Sequence, residues 1–307
     1  MSFLYELGLN EFVQNVANLL HKSDRLAPKR GLVCGYIDDL YWTATFSKMV
    51  KAIEFVIERG PAFGYTLNMK KCIYLMAPTA KALTDDELGQ RLAVLTALGL
   101  PLENIKIHPD CQPQSPPDVV AKRRVEWGIK ILGAFVGTDE YVLTSLRPKM
   151  ESLRKLSQIL LRYHNVQARY FLHKTCFNAK INYWMRAQYP AHTMPFVNDF
   201  KEVQMKLLAS YHGIYDDDDF NRSRGQIAKL YERAALPIEK GGMGLTNISL
   251  VSLTAFPCSF AASLRDLAKS FPNWITLGRE GSLQRISENE SPSLAAQVLN
   301  SIDQYRT

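Results

Sequence analysis

Cysteine is scarce in this sequence, and its five cysteines are scattered without any Cys-x-x-Cys pair. An odd number of widely separated thiols does not suit the disulfide framework of a small secreted protein and is more typical of a reducing compartment. No segment approaches the roughly 20 apolar residues that a membrane-spanning helix needs. The N-terminal residues lack a basic leader and a small-residue cleavage site, and their pattern predicts an amphipathic helix. We therefore expect an intracellular protein, nuclear or cytoplasmic, with no membrane partner.

Basic residues outnumber acidic residues by 37 to 30, which gives a formal net charge of +7. The excess lies between residues 147 and 186, where nine basic residues face one acidic residue, Glu151, for a local charge of +8. Aromatic residues are interleaved with these cations, among them Tyr163, Phe171 and Tyr183. This pattern predicts a groove that follows a phosphate backbone, with a merely solvated basic face and core aromatics as the alternative. The candidate nucleic-acid-binding residues are Arg147, Lys149, Arg154, Lys155, Arg162, Arg169 and Lys174.

The order of predicted elements indicates an α+β protein with a mixed first part and a helical second part. Helices are expected over residues 3–20 and 47–59 and around the sequence TDDELGQRLAVLTALG, where Thr84 offers a cap. Strands are expected within residues 31–46 and 127–137. The proline-rich stretch from Pro101 to Pro117 is predicted to be a surface loop. From Leu146 onward the pattern is almost entirely helical.

The sequence GYIDDLYW, residues 35–42, places two adjacent carboxylates inside an apolar and aromatic run. An unpaired buried charge costs several kcal/mol, so such a pair is expected at a turn or on a metal ion. The flanking residues predict a β-hairpin with Asp38 and Asp39 at its tip. Carboxylates at a tight turn suit Mg²⁺, and a pair of such ions promotes phosphoryl displacement, but a solvent-facing turn explains the same residues.

Three motifs in order resemble the distal palm of a reverse transcriptase, most closely that of non-LTR, LINE-like retrotransposons. They are Tyr36-Ile-Asp-Asp39, the glycine, asparagine and lysine motif from Gly64 to Cys72, and Leu132-Gly133. The resemblance continues through LPIEKGGMGL, residues 236–245, and covers roughly residues 30–78 and 127–265, with a poorly matched insert at 79–126. It implies a partial polymerase palm followed by a mostly α-helical thumb and a C-terminal helical region. The implied domains are 1–30 as lead-in, 31–140 as distal palm, 141–195 as basic thumb and 196–307 as C-terminal helical region.

The resemblance also implies roles for individual residues. Asp38 would be a catalytic metal ligand supported by Asp39, with two Mg²⁺ or Mn²⁺ ions in the complete enzyme. Lys71 would lie near the leaving pyrophosphate. Tyr36, Leu132 and Gly133 would contact the primer. The partners would be an RNA template, a DNA primer and, in the complete enzyme, a dNTP.

Reverse transcriptases also use an earlier acidic strand and a glutamine-glycine-proline segment, and the 35 residues before Tyr36 contain neither. We therefore expect a fragment of an RNA-directed DNA polymerase that does not polymerise alone. The alternatives are a non-catalytic nucleic-acid-binding protein that keeps the hairpin as scaffold, and a helical interaction protein in which Tyr-Ile-Asp-Asp is coincidental.

Two further clusters are predicted to be structural. The acidic run Asp216–Asp219 is expected in a solvated loop. The glycines of Gly241-Gly-Met-Gly244 lack the preceding strand and the lysine of a phosphate-binding loop, so they predict a turn after a helix.

Overall fold

The computed structural model describes residues 12–20, 32–36, 39–78 and 82–270. Helices predominate over strands in these residues, so the expected α+β class holds in its broad sense. The chain divides into two compact units, Met1–Ile129 and Lys130–Thr307. This division precedes residue 140, where we expected the change from palm to thumb.

The first unit alternates short strands with helices. Strands β1 and β2 pair as an antiparallel hairpin, whereas β3 and β4 pair in parallel with Tyr74 opposite Ile105. The described elements are α1 (residues 12–20), β1 (Leu32–Tyr36), β2 (Asp39–Thr43), α2 (Phe46–Arg59), β3 (Tyr74–Met76), α3 (Asp85–Ala97), β4 (Ile105–Ile107), α4 (Pro117–Glu126) and β5 (Gly128–Ile131), in which the division between units falls.

Two predicted helices of this unit are confirmed, each by the local signal that predicted it. In α2 the residues Met49, Ile53 and Val56 are buried, as their helical spacing requires. Helix α3 begins with a reciprocal capping box: the Thr84 side chain accepts from the backbone N–H of Glu87, and the Glu87 carboxylate accepts from that of Thr84 at 2.9 Å. These bonds satisfy backbone donors that have no partner within the helix.

The apolar face of α2 contributes to two clusters. In the first, Ala52 and Val56 join the α1 residues Phe12, Val16 and Leu20, all with no exposed surface. The buried members of the second cluster are Met49, Ile53, Met76, Leu83, Leu88, Leu95, Leu100, Ile105 and Cys111. Burial of each large side chain stabilises the fold by about 1.5–3 kcal/mol, so α2 is the central element of this unit.

The prediction of a surface loop from Pro101 to Pro117 is wrong for residues 105–112. This segment contains β4 and two short 3₁₀ turns, and its residues Ile105 and Cys111 are buried. The backbone of Cys111 accepts a hydrogen bond from Leu83 N at 2.7 Å, and His108 N donates to Met76 O at 3.0 Å. A strand of three residues shows too little alternation to be recognised between prolines, and tertiary pairing decides its conformation.

Up to residue 270, where the described chain ends, the second unit is helical apart from the hairpin formed by β5 and β6. A short π-helical segment, His173–Phe177, joins two of its helices. The remaining elements are β6 (Ala134–Gly137), α5 (Asp139–Leu161), α6 (Val166–Leu172), α7 (Ala179–Ala187), α8 (Pro190–Ser210), α9 (Asp217–Ala234) and α10 (Ile248–Ser270).

The core of the second unit combines stacked rings with a buried polar network. The rings of Phe177 and Phe200 stack at 5.0 Å between centroids. Beside them the buried Gln204 donates to the Asn178 side chain at 2.7 Å and accepts from the Tyr231 hydroxyl at 2.6 Å. That hydroxyl also accepts from Ile248 N at 3.1 Å. Because buried polar groups are costly unless they are paired, this network sets the relative positions of α7, α8, α9 and the start of α10.

None of the helices in the described part of the chain is long and apolar enough to cross a membrane.

Candidate nucleic-acid interface

The predicted acidic hairpin is confirmed as a strand pair. Strands β1 and β2 pair in antiparallel register from Leu32 opposite Thr43 to Tyr36 opposite Asp39. Asp38 lies outside the described residues, and for Tyr36 and Asp39 the structure describes the backbone only. The rest of the described chain contains no group of three or more His, Cys, Asp or Glu side chains that could hold a metal ion. Metal binding at Asp38 and Asp39 therefore stays a prediction.

Lys71 lies at the surface of the same compact unit, directly after a backbone turn. Its N–H donates to Asn68 O at 2.9 Å, and the backbone oxygen of the adjacent Lys70 accepts from the Asn104 side chain at 2.9 Å. Within this turn the thiol of Cys72 donates to Asn68 O at 3.3 Å, and partial burial raises its pKa. Hydrogen bonds thus hold the backbone in place, and the Lys71 side chain extends into solvent.

The turn between β5 and β6 consists of Leu132 and Gly133, which have φ values of 48° and 90°. Positive φ at both central residues is the requirement of a type I′ hairpin turn, and a leucine there is strained. The Leu132 side chain is 51% exposed, and its backbone oxygen accepts from the hydroxyl of Tyr183 on α7. A Cβ on Gly133 would lie 3.3 Å from Tyr183 Cε1, so glycine allows this close approach as well as the turn. The structure therefore joins two predicted primer-contacting residues to an aromatic residue of the basic region.

Of the five predicted nucleic-acid-binding residues that are exposed, four form no ion pair within the described part of the chain. They are Arg147, Lys149, Lys155 and Arg162, of α5 and the residue that follows it, and we name these four the basic surface. Unpaired exposed cations are free to exchange counterions for phosphates. Tyr163, next to this surface, is 48% exposed.

Arg154 belongs to the same helix but is already paired. Its guanidinium contacts Asp199 at 2.6 Å and Glu151 at 3.7 Å. An arginine between two carboxylates contributes less to an electropositive surface than its unpaired neighbours do, so Arg154 is a weaker candidate than the sequence indicates.

The prediction that Arg169 contacts nucleic acid is wrong for the folded chain. Arg169 is 2% exposed, and its guanidinium donates to the backbone oxygens of Leu161 at 3.2 Å and Ser210 at 3.4 Å. Its position in α6 points it into the helical unit rather than towards solvent. A ligand would reach it only after local unfolding.

Lys174 is half-buried and lies against the glycine-rich segment at residues 241–244. Its Nζ is 5.8 Å from the centroid of the Tyr170 ring and would be 3.0 Å from a Cβ placed on Gly244. The Tyr170 hydroxyl in turn donates to Met243 O. Lys174 thus packs between a helix and a loop, and only part of its side chain is open to a ligand.

The glycine-rich segment uses its backbone donors internally. The N–H groups of residues 241–245 all donate to backbone oxygens between Ala234 and Ile238, at 2.9–3.1 Å. Gly242 fits so closely that a Cβ would lie 2.0 Å from Leu236 O. The predicted turn after a helix is confirmed, and no free N–H group remains in it to hold a phosphate.

The acidic run at residues 216–219 is the beginning of α9 instead of a loop. The Asp216 carboxylate accepts from Asp219 N at 2.7 Å as the helix cap, while Asp217 and Asp219 pair with Lys206 and Arg222. Hydrogen bonds from the first turn lower the pKa of Asp216. Acidic residues are favoured at helix N-termini, and this signal was present in the sequence.

Three exposed residues of α7, Lys180, Tyr183 and Arg186, belong to the basic and aromatic pattern of the sequence but are missing from the candidate binding residues. Their spacing of three residues was the available signal, because residues three apart lie on neighbouring parts of a helix face.

Comparison with protein-family models, with curated proteins and with solved structures found no match to this chain.

Proposed function

We propose that this chain carries the distal palm and thumb of a reverse transcriptase of the non-LTR, LINE-like type, and that its basic helices bind nucleic acid. The observation that supports the proposal most strongly is the basic surface of Arg147, Lys149, Lys155 and Arg162, exposed and unpaired within the described residues. In the chain, this basic surface comes after the hairpin of β1 and β2, in which Tyr36 and Asp39 are the last pair before the turn. This is the order that the motifs imply.

In this proposal the hairpin has the chemical role and the helices have the binding role. Asp38 and Asp39 would supply carboxylate oxygens, the ligands that Mg²⁺ and Mn²⁺ prefer. The metal ions would stabilise the attacking and leaving oxygens of nucleotidyl transfer. Transfer also requires an earlier acidic strand and a segment that holds the incoming dNTP, so we expect primer extension only from a polypeptide or complex that supplies them.

A non-catalytic nucleic-acid-binding protein is the second candidate. It is favoured by one observation: the basic surface lies in the unit Lys130–Thr307, whereas the acidic hairpin lies in Met1–Ile129. Binding by the second unit would not need the carboxylates. Substitution Asp38→Asn separates the two candidates, because it abolishes metal-dependent extension by a complemented polymerase and leaves the affinity of a mere binding protein unchanged.

Salt dependence of binding to a primer–template duplex is the first experiment. The basic surface together with Lys180 and Arg186 gives six exposed cations. Each phosphate contact contributes about −0.9 to the slope of log K against log salt, so the slope should approach about −5 if all six engage. A slope near zero would contradict nucleic-acid binding by this region.

A charge-matched pair of variants localises the effect. Arg147→Gln with Lys155→Gln removes two cations of the basic surface and should reduce the slope by about 2. Lys229→Gln with Lys240→Gln removes two exposed cations of α9 and the turn after it, and should leave the slope unchanged. Equal effects of the two pairs would mean that only the net charge matters.

A further inference from the structure

One face of α7 presents an aromatic residue between two cations. Lys180, Tyr183 and Arg186 are all exposed and follow one another at intervals of three residues. Because a helix rises 1.5 Å per residue, the two cations lie about 9 Å apart along the axis, on either side of the ring. Neither cation forms an ion pair with a residue that the structure describes.

The ring of Tyr183 is held in place by the hairpin turn. Its hydroxyl donates to Leu132 O, and its Cε1 lies against Gly133, where a Cβ would be at 3.3 Å. Even so, 46% of Tyr183 remains exposed. The turn therefore holds the hydroxyl and the Cε1 edge of the ring, while nearly half of the residue stays exposed. An immobilised ring loses little conformational entropy when a ligand stacks on it.

We propose that the exposed part of Tyr183 stacks on one unpaired base of a nucleic-acid strand, while Lys180 and Arg186 pair with phosphates on either side. Bases of any type can stack on an aromatic side chain. The three residues therefore select unpaired nucleotides without reading their sequence. A continuous duplex offers them no free base face. The inference deepens the proposed function, on which it rests, by naming single-stranded nucleic acid as the ligand of this part of the surface.

The test compares two ligands that differ only in their bases. Fluorescence anisotropy measures the affinity of the full chain for a labelled oligothymidylate and for an abasic strand of the same length. The wild-type chain should bind oligothymidylate at least about fivefold more tightly, because stacking of one base is worth that much or more. Tyr183→Ala should abolish this preference while both strands keep the salt slope of the wild type.

Two variants control for folding and for tyrosine content. Tyr183→Phe keeps the ring and removes the hydroxyl anchor, so it should retain a reduced preference with an unchanged melting temperature. Tyr215→Ala removes a tyrosine that is 64% exposed and lies outside the basic cluster, so it should retain the full preference. Lys180→Gln with Arg186→Gln should lower the salt slope and keep the preference.

The outcomes separate this inference from the proposed function. If the wild-type chain binds neither strand, both the proposed nucleic-acid binding and the proposed stacking on Tyr183 are overturned. If it binds both strands equally and with a steep salt slope, the binding surface stands and stacking on Tyr183 is overturned. Equal losses in Tyr215→Ala and Tyr183→Ala would also overturn the assignment to Tyr183.

Discussion

The guanidinium of Arg169 lies over the ring of Tyr211, with 5.0 Å between Cζ and the ring centroid. Its two hydrogen bonds end on the backbone oxygens of Leu161 and Ser210, the last residues of α5 and α8. Helix C-termini carry partial negative charge, and aromatic faces attract cations. Two helix ends and an aromatic ring therefore compensate a buried cation that has no carboxylate partner in the described part of the chain. Arg169 joins three helices.

Substitution of Arg169 should affect stability and not binding. Arg169→Ala removes the side-chain donor to Leu161 O and one of two donors to Ser210 O, which also accepts from Gly213 N, and it opens a cavity. We therefore expect a loss of about 2–4 kcal/mol in the free energy of unfolding. Arg162→Ala, at an exposed cation, should change stability by less than about 0.5 kcal/mol and weaken binding to nucleic acid. Urea unfolding and salt titrations of both variants measure the two effects. Stable Arg169→Ala protein with weakened binding would contradict the structural role.

The role of Arg169 shows which information the sequence lacks. As one of nine basic residues in a cluster it looks like its exposed neighbours, because the groups that compensate it lie far along the chain, at Ser210 and Tyr211. By contrast, α2 and the capped start of α3 depend on neighbours within four residues and were predictable. Strand β4 was missed for the same reason as Arg169, since its pairing partner β3 lies about thirty residues away.

His173 should make the second unit sensitive to acid. It is buried with its Nδ1 3.1 Å from the Tyr211 hydroxyl, and its Nε2 has no hydrogen-bond partner among the described residues. Burial lowers the pKa of His173 from 6.5 to about 4. The unfolded chain therefore takes up a proton before the folded chain does. The contribution of neutral His173 to the free energy of unfolding is complete above pH 6.5. As the pH falls towards 4, about 3 kcal/mol of it is lost.

Urea unfolding between pH 7 and pH 4 measures this loss. His173→Asn keeps a polar atom near the position of Nδ1 and cannot be charged, so its stability should fall less steeply over this interval. His164→Gln is the matched control, because His164 is exposed in the same unit and should leave the steepness unchanged. If His173→Asn and the wild type lose stability in parallel, burial of a neutral His173 is not the cause.

Leu132 combines a strained backbone with an exposed apolar side chain, which is a poor choice for stability alone. Leu132→Asn supplies a residue that tolerates positive φ in a type I′ turn and should stabilise the fold by about 1 kcal/mol. If the exposed Leu132 side chain contacts a primer or another strand, the same variant should bind nucleic acid more weakly. Opposite changes in melting temperature and affinity are the expected result. A variant that is both more stable and equally tight in binding would remove Leu132 from the interface.

Gly133→Ala tests the other half of this turn. Its φ of 90° and its contact with Tyr183 both disfavour a Cβ, so we expect a loss of at least about 1 kcal/mol. Gly225→Ala is a suitable control, because a Cβ at this position on α9 meets no atom within 4 Å and alanine favours helix. Thermal unfolding should therefore move in opposite directions for the two variants. A neutral Gly133→Ala would mean that the turn relaxes without strain.

Metal binding at the acidic hairpin is tested by Mn²⁺, whose free ion is measured directly by electron paramagnetic resonance. Under the proposed function Asp38 and Asp39 would form one part of a two-metal site, so we expect weak binding of Mn²⁺ that Mg²⁺ displaces. Asp38→Asn with Asp39→Asn should abolish this binding. Asp86→Asn with Asp218→Asn removes the same charge from two exposed helix starts and should preserve it. If both double variants bind Mn²⁺ like the wild type, the carboxylates of the hairpin are not metal ligands, and nucleic-acid binding without catalysis becomes the better account of this chain.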